Sequence, residues 1–137
     1  YVFMPEHEQA MDFQPDIVVC ILGINVLMDW DDFGKKDFVD DYRSLILAYK
    51  GLPWKPRVIV WNHLAPLFPG QAFYGNRNVD EINDAIGLAA KLEGVESIDL
   101  EIPLKKHGAL FPDHLHPNAD GAEMIAETVA TYLSKSK

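Results

Sequence analysis

Hydrophobic residues along the chain follow two alternating patterns. Short β-branched runs occur at Asp16–Leu22 (DIVVCIL), Arg57–Trp61 (RVIVW) and Val95–Leu100 (VESIDL). Each run is bounded by proline or glycine, which is typical of strands buried in a parallel sheet. We therefore predict three strands, each followed by a loop and a helix.

Three longer segments place apolar residues on one face of a helix. These residues are Phe38, Tyr42, Leu45, Ile46 and Tyr49 in the first segment, Val79, Ile82, Ile86 and Ala89 or Ala90 in the second, and Ala122, Ile125, Ala126, Val129 and Leu133 in the third. We expect the first helix to end at Gly51 and the second at Gly94, and Asn118 to cap the third.

The resulting β-α-β-α-β-α order predicts an α/β layered fold with a parallel sheet. A chain of 137 residues that is 48% hydrophobic buries one core, so we expect residues 1–137 to form a single domain. In such sheets, ligands bind at the edge where the strands end. The loops that reach this edge contain Asn25, Asn62, His63, His107, Asp113, His114 and His116.

Composition excludes several classes of partner. The net charge is −9 and no Lys/Arg cluster forms a basic face, so we predict no nucleic-acid partner. The longest apolar run, residues 17–22, is too short to span a bilayer, and we predict no membrane partner. Cys20 is the only cysteine and lies inside an apolar strand, so we expect an inert, buried thiol. The chain begins without methionine or a signal peptide, so we expect an upstream part to be missing and leave the compartment open.

The stretch FPDHLHPN, residues 111–118, places a carboxylate three residues before an imidazole. Asp113 could hold His116 in one tautomer and stabilise its charged form, as a general base requires. Alternatively, Asp113 only caps a polar turn, and the spacing does not decide between the two interpretations. We expect His114 to face solvent.

A metal site is a further alternative, with Asp113, His114 and His116 as ligands and His63 as a possible fourth. No further residue has a recognisable ligand spacing, so we predict no metal. Asn25, just beyond the first strand, could likewise donate to an oxyanion or simply form a turn.

Two segments resemble a known family. PDIVVCILGIN and FPDHLHPNADGAEMIAE are similar to the third and fifth conserved segments of the SGNH, or GDSL-type, hydrolases, and especially to esterases that deacetylate carbohydrates. The resemblance implies a flavodoxin-like three-layer α/β/α sandwich and a serine esterase without metal or organic cofactor. It also implies that His116 is the general base, Asp113 its orienting carboxylate and Asn25 an oxyanion-hole donor.

The chain departs from the family pattern at two places. Val26 stands where the family usually has aspartate, directly after the oxyanion asparagine. The Gly-Asp-Ser segment that supplies the nucleophile is absent, and the chain's four serines are Ser44, Ser97, Ser134 and Ser136. None of them follows a predicted strand, so the chain resembles the C-terminal portion of an SGNH hydrolase and we predict that it is inactive alone. Its unpaired sheet edge requires an upstream segment, a second chain or self-association to cover it.

The substrate is expected to be a small-molecule or carbohydrate ester, bound by Asn62, His63 and Trp30 in the loops. Trp30, Trp54, Trp61, Phe73 and Tyr74 could stack on sugar rings, although a tryptophan beside an apolar strand is also a common core residue. The alternative function is a non-catalytic carbohydrate-binding or interaction module that keeps the fold and lacks the nucleophile.

Overall fold

The computed structural model describes residues 3–23, 25–26, 30, 34–61, 76–113 and 116–135. The helices are α1 (Pro5–Asp12), α2 (Lys35–Lys50), α3 (Asn76–Glu93), α4 (Glu101–Leu104) and α5 (Ala119–Lys135). The strands are β1 (Ile17–Cys20), β2 (Arg57–Trp61) and β3 (Glu96–Ile98), and a short 3₁₀ turn covers Gly108–Leu110. No helix in these ranges is long and apolar enough to cross a membrane.

The three strands form one parallel sheet in the order β1-β2-β3. Val19 pairs with Ile59 across the first ladder, and Trp61 pairs with Ile98 across the second. This confirms the predicted parallel sheet, although β1 and β3 are shorter than the apolar runs that predicted them. The central strand β2 is paired on both sides, and all three strands end at the same edge.

Side-chain alternation along β2 divides the core into two clusters. Val58 and Val60 belong to a large cluster shared with α2 and α3. Ile59 belongs to a smaller cluster on the opposite face, against which Trp61 and residues of α5 pack. Helices therefore cover both faces of the sheet, as expected of an α/β/α arrangement.

Burial confirms the apolar stripes of α2 and α3, whose predicted residues lie in the large cluster. The stripe of α5 is partly wrong, because Ala122 and Ala126 are exposed. Met124 and Tyr132 take their place beside the predicted Ile125, Val129 and Leu133, and all five side chains are only partly buried.

The hydrophobic pattern did not predict α1, which is short and mostly polar. Pro5 occupies its first turn, where the missing N–H leaves no hydrogen bond unmade. His7 is the buried residue of this helix, and its ring contacts Tyr49 of α2 edge to face with the Tyr49 hydroxyl 3.4 Å from His7 Nδ1. This buried polar contact, together with the partly buried Ala10 and Met11, packs α1 against the large cluster.

An apolar surface remains exposed beyond β1, which is one of the two outer strands of the described sheet. Ile17 is 44% exposed and Ile21 is 54% exposed. Both lie, with Val19, on the face of the sheet that α5 covers at β2 and β3, and none of the three belongs to either core cluster. A groove of about 210 Å³ runs along the strand, lined by residues 18–22, Leu45 and Tyr49.

Candidate active site

Asp113 and His116 are hydrogen-bonded in the turn that precedes α5. Asp113 Oδ2 lies 2.7 Å from His116 Nδ1, and Asp113 Oδ1 accepts the backbone N–H of His116 at 2.6 Å. The carboxylate therefore closes the turn with one oxygen and holds the ring with the other. When Nδ1 carries the proton toward Asp113, Nε2 presents a lone pair, as a general base requires.

We call Asp113 and His116 the dyad and residues 111–118 the dyad turn. This turn is anchored at both ends. Phe111 is 2% exposed in the smaller core cluster, and the Leu110 carbonyl accepts the Asn118 N–H at 2.8 Å. Asn118 Oδ1 in turn accepts the N–H of Gly121 at 2.9 Å, which confirms the predicted cap. These contacts join the buried cluster, the dyad turn and the start of α5.

Gly121 is a positioning residue that the hydrophobic pattern did not single out. A Cβ at this position would lie 2.9 Å from the Leu110 carbonyl oxygen and 2.9 Å from Pro117 Cβ. Only glycine allows the chain entering α5 to pack this closely on the segment before the turn. The sequence signal for this close packing is the presence of glycine in the first turn of a helix, where glycine weakens the helix.

Asn25 lies just beyond β1, at the edge where the three parallel strands end. The backbone turns at Gly23, whose φ of 133° favours glycine, and the Val26 N–H donates to the Gly23 carbonyl at 3.2 Å. Asn25 is exposed. Asn25 therefore lies at the carboxyl edge of the sheet, and the segment that leads to the dyad turn leaves the sheet at the same edge after β3.

Trp30 does not reach this edge as an exposed side chain. It is 3% exposed, its Nε1–H donates to Glu81 Oε2 at 2.8 Å, and its ring packs against Phe38. The indole therefore fits the core interpretation and offers no face on which a sugar ring could stack. Asn62, His63 and His114, together with Phe73 and Tyr74, lie outside the described residues.

No described serine lies in the dyad turn. Ser44 Oγ donates to the Asp40 carbonyl within α2, and Ser134 Oγ donates to the Thr131 carbonyl within α5. Ser97 lies within β3, on the exposed side of that strand. Ser136 is outside the described residues.

Cys20 has the surroundings of a buried structural thiol, as its position in an apolar strand predicted. It is buried in β1, where it accepts the Tyr42 hydroxyl at 3.4 Å. Burial raises the pKa of the Cys20 thiol, because the interior disfavours the thiolate, and the hydrogen bond from Tyr42 only partly opposes this shift.

The described residues also contain no group of three or more His, Cys, Asp or Glu side chains that could hold a metal ion.

Residues 2–124 match the model of the GDSL-like Lipase/Acylhydrolase family. The match covers most of the chain, and the chain belongs to this family, which confirms the resemblance noted in its sequence. No curated protein matches the chain.

Two solved structures have a fold similar to that of this chain. Axe2, an acetylxylan esterase from Geobacillus stearothermophilus, aligns with a TM-score of 0.69 and 19% identity, and a catalytic mutant of Axe2 aligns with a TM-score of 0.68 and 19% identity. Each alignment covers 90% of this chain and 62% of the Axe2 chain. The chain therefore spans less than two thirds of the length of these esterases.

The Asp113 hydrogen bonds predict a change of tautomer in Asp113→Asn. The amide oxygen of the substituted side chain would keep the backbone N–H of His116, so its NH₂ group would face Nδ1 and force the proton to Nε2. Imidazole ¹⁵N chemical shifts, measured by NMR at a pH where the ring is neutral, should show His116 change from the Nδ1–H to the Nε2–H form. The exposed His107 should keep its own tautomer, and an unchanged His116 would contradict the described pairing.

Proposed function

We propose that this chain contributes the base and the oxyanion donor of an SGNH-type serine esterase that removes acetyl or other acyl groups from carbohydrate esters. The observation that carries the proposal is the 2.7 Å contact between Asp113 and His116, which suits Nε2 for proton transfer. Family membership supports ester hydrolysis, and the similarity to Axe2 supports a carbohydrate ester as the substrate.

In the proposed mechanism, a serine hydroxyl attacks the ester carbonyl while His116 Nε2 takes its proton. Asp113 stabilises the imidazolium that forms, and the side-chain amide of Asn25 donates to the tetrahedral oxyanion. The intermediate collapses as His116 returns the proton to the departing sugar oxygen. Water then attacks the acyl-serine with the same base and releases the carboxylic acid. Substrate contacts are assigned to Asn62 and His63, and no step requires a cofactor.

In this proposal the nucleophile lies outside the described residues, and the sheet suggests how it reaches the site. We propose that residues 1–137 form the C-terminal portion of an SGNH hydrolase domain, and that a serine-bearing apolar strand pairs parallel to β1. The exposed Ile17 and Ile21, and the groove along β1, are the surface that such a strand and its helix would cover. A parallel strand there would end beside Asn25, so a serine just after it would reach the same edge as the dyad.

A non-catalytic carbohydrate-binding module remains the second candidate. The observation that favours it is that Ser44 and Ser134 donate to carbonyls within their own helices and that Cys20 is buried. Such a module would bind an acylated sugar without turnover.

The dyad is tested by comparing His116→Ala with His107→Ala. Both are made in this chain fused behind the opening Gly-Asp-Ser segment of an SGNH hydrolase. His116→Ala should lower hydrolysis of an aryl acetate by several orders of magnitude, because serine loses its base, while His107→Ala should retain activity. The chain alone should not form an acyl-enzyme with a fluorophosphonate probe. Stoichiometric labelling of the unfused chain would contradict the proposal that the nucleophile lies outside this chain.

The role of Asn25 is tested by two substitutions in the same fusion. Asn25→Ala should lower kcat about 10²- to 10³-fold with little change in KM, as expected for loss of one oxyanion donor. Asn25→Asp should show a comparable loss, because aspartate forms the same turn but has no amide to donate. Full activity of Asn25→Asp would return Asn25 to a turn-forming role.

The uncovered edge of β1 predicts that the chain alone self-associates. Ile21→Lys places a charge on the exposed apolar face and should reduce association measured by sedimentation velocity. Ile102→Lys is the matched control, since Ile102 is 79% exposed on α4 rather than beside β1. Equal effects of the two substitutions would show that association does not use this edge.

A further inference from the structure

Trp61 carries a buried donor without an acceptor. Its Nε1 is inaccessible to solvent and is the one such buried side-chain nitrogen or oxygen found unpaired in the part of the chain that the structure describes. A buried N–H that makes no hydrogen bond costs a protein about 1–3 kcal/mol. The ligand-free chain therefore bears this cost at a position where phenylalanine would supply an aromatic ring without the N–H.

Trp30 shows what a structural tryptophan looks like in the same protein. Its Nε1–H donates to Glu81 at 2.8 Å, so its burial leaves no donor unmatched. The two indoles therefore differ in one respect that matters: Trp30 is satisfied by the fold, whereas Trp61 is not. A group that the fold leaves unsatisfied needs an explanation other than packing.

The position of Trp61 suggests that explanation. Trp61 is the last residue of the central strand, so it lies at the edge where the parallel strands end. Its ring packs against the smaller core cluster, which contains Phe111, the first residue of the dyad turn. The residue as a whole is partly exposed, although Nε1 itself is not accessible to solvent.

We propose that Trp61 is a substrate-positioning residue whose indole N–H hydrogen-bonds an oxygen atom of the bound carbohydrate ester. The inference rests on the proposed function for its ligand. A neutral N–H matches a hydroxyl or carbonyl oxygen of an acylated sugar and does not suit a cation. Binding opens access to Nε1 and supplies the acceptor that the fold lacks, so the donor is paired only in the complex.

The test uses the indole ¹H–¹⁵N resonances of this chain, titrated with fully acetylated xylobiose. The Trp61 resonance, assigned by its loss in Trp61→Phe, should shift downfield as the sugar binds. Trp61→Phe should weaken binding about three- to tenfold, the effect of losing one neutral hydrogen bond. Trp30→Phe should change affinity little, because its donor is already paired with Glu81.

Thermal unfolding without ligand supplies an independent measurement. Trp61→Phe should leave the midpoint unchanged or raise it, whereas Trp30→Phe should lower it. An unchanged Trp61 resonance, or equal destabilisation by the two substitutions, would overturn the inference. Neither measurement requires turnover, so failure of the esterase assay with a shifted Trp61 resonance would remove the proposed catalysis and leave the donor assignment standing.

Discussion

Parallel pairing of β2 with both neighbours is the constraint on which the site depends. Ile59 and Val60 are fully buried, so the central strand cannot change register without exposing one of the two clusters. At the start of the strands, Arg57 donates two hydrogen bonds to the Glu96 carboxylate, at 2.6 and 2.7 Å. The same carboxylate accepts the Tyr132 hydroxyl. This carboxylate raises the pKa of Arg57 and ties β2, β3 and α5 together at the edge opposite the candidate site.

The strands are held together at their starts, and the candidate functional groups follow their carboxyl ends. Gly23 turns the chain after β1, Trp61 ends β2, and the segment after β3 carries the dyad. The two ends of the dyad turn are held by packing, because Phe111 is buried in the core and Gly121 lets α5 begin close to Leu110 and Pro117. Packing thus positions His116 even though the imidazole itself is exposed.

Hydrophobic periodicity predicted the three strands and the buried faces of α2 and α3. It failed for α1, whose buried residue is the polar His7 and whose apolar contacts are limited to the partly buried Ala10 and Met11. It also failed for Ala122 and Ala126, which lie beside the face of α5 that packs on the smaller cluster. The spacing of Asp113 and His116 could not separate a turn cap from a catalytic pair. The structure explains why: a carboxylate has two oxygens, and here each makes one of those contacts. The burial of Trp30 depends on its partner Glu81, 51 residues away, which no local pattern indicates.

The exposed β1 edge and the exposed dyad have a common physical origin in the proposed assembly. His116 is 76% exposed and Asp113 57% exposed, so water screens their interaction and weakens the stabilisation of an imidazolium. A strand and helix covering Ile17 and Ile21 would bury apolar surface and bring the serine to the same edge. Substrate bound between the serine and the dyad would displace water from the imidazole and strengthen this interaction. Burial of the free edge and delivery of the nucleophile would therefore occur in one step, which couples completion of the fold to completion of the active site.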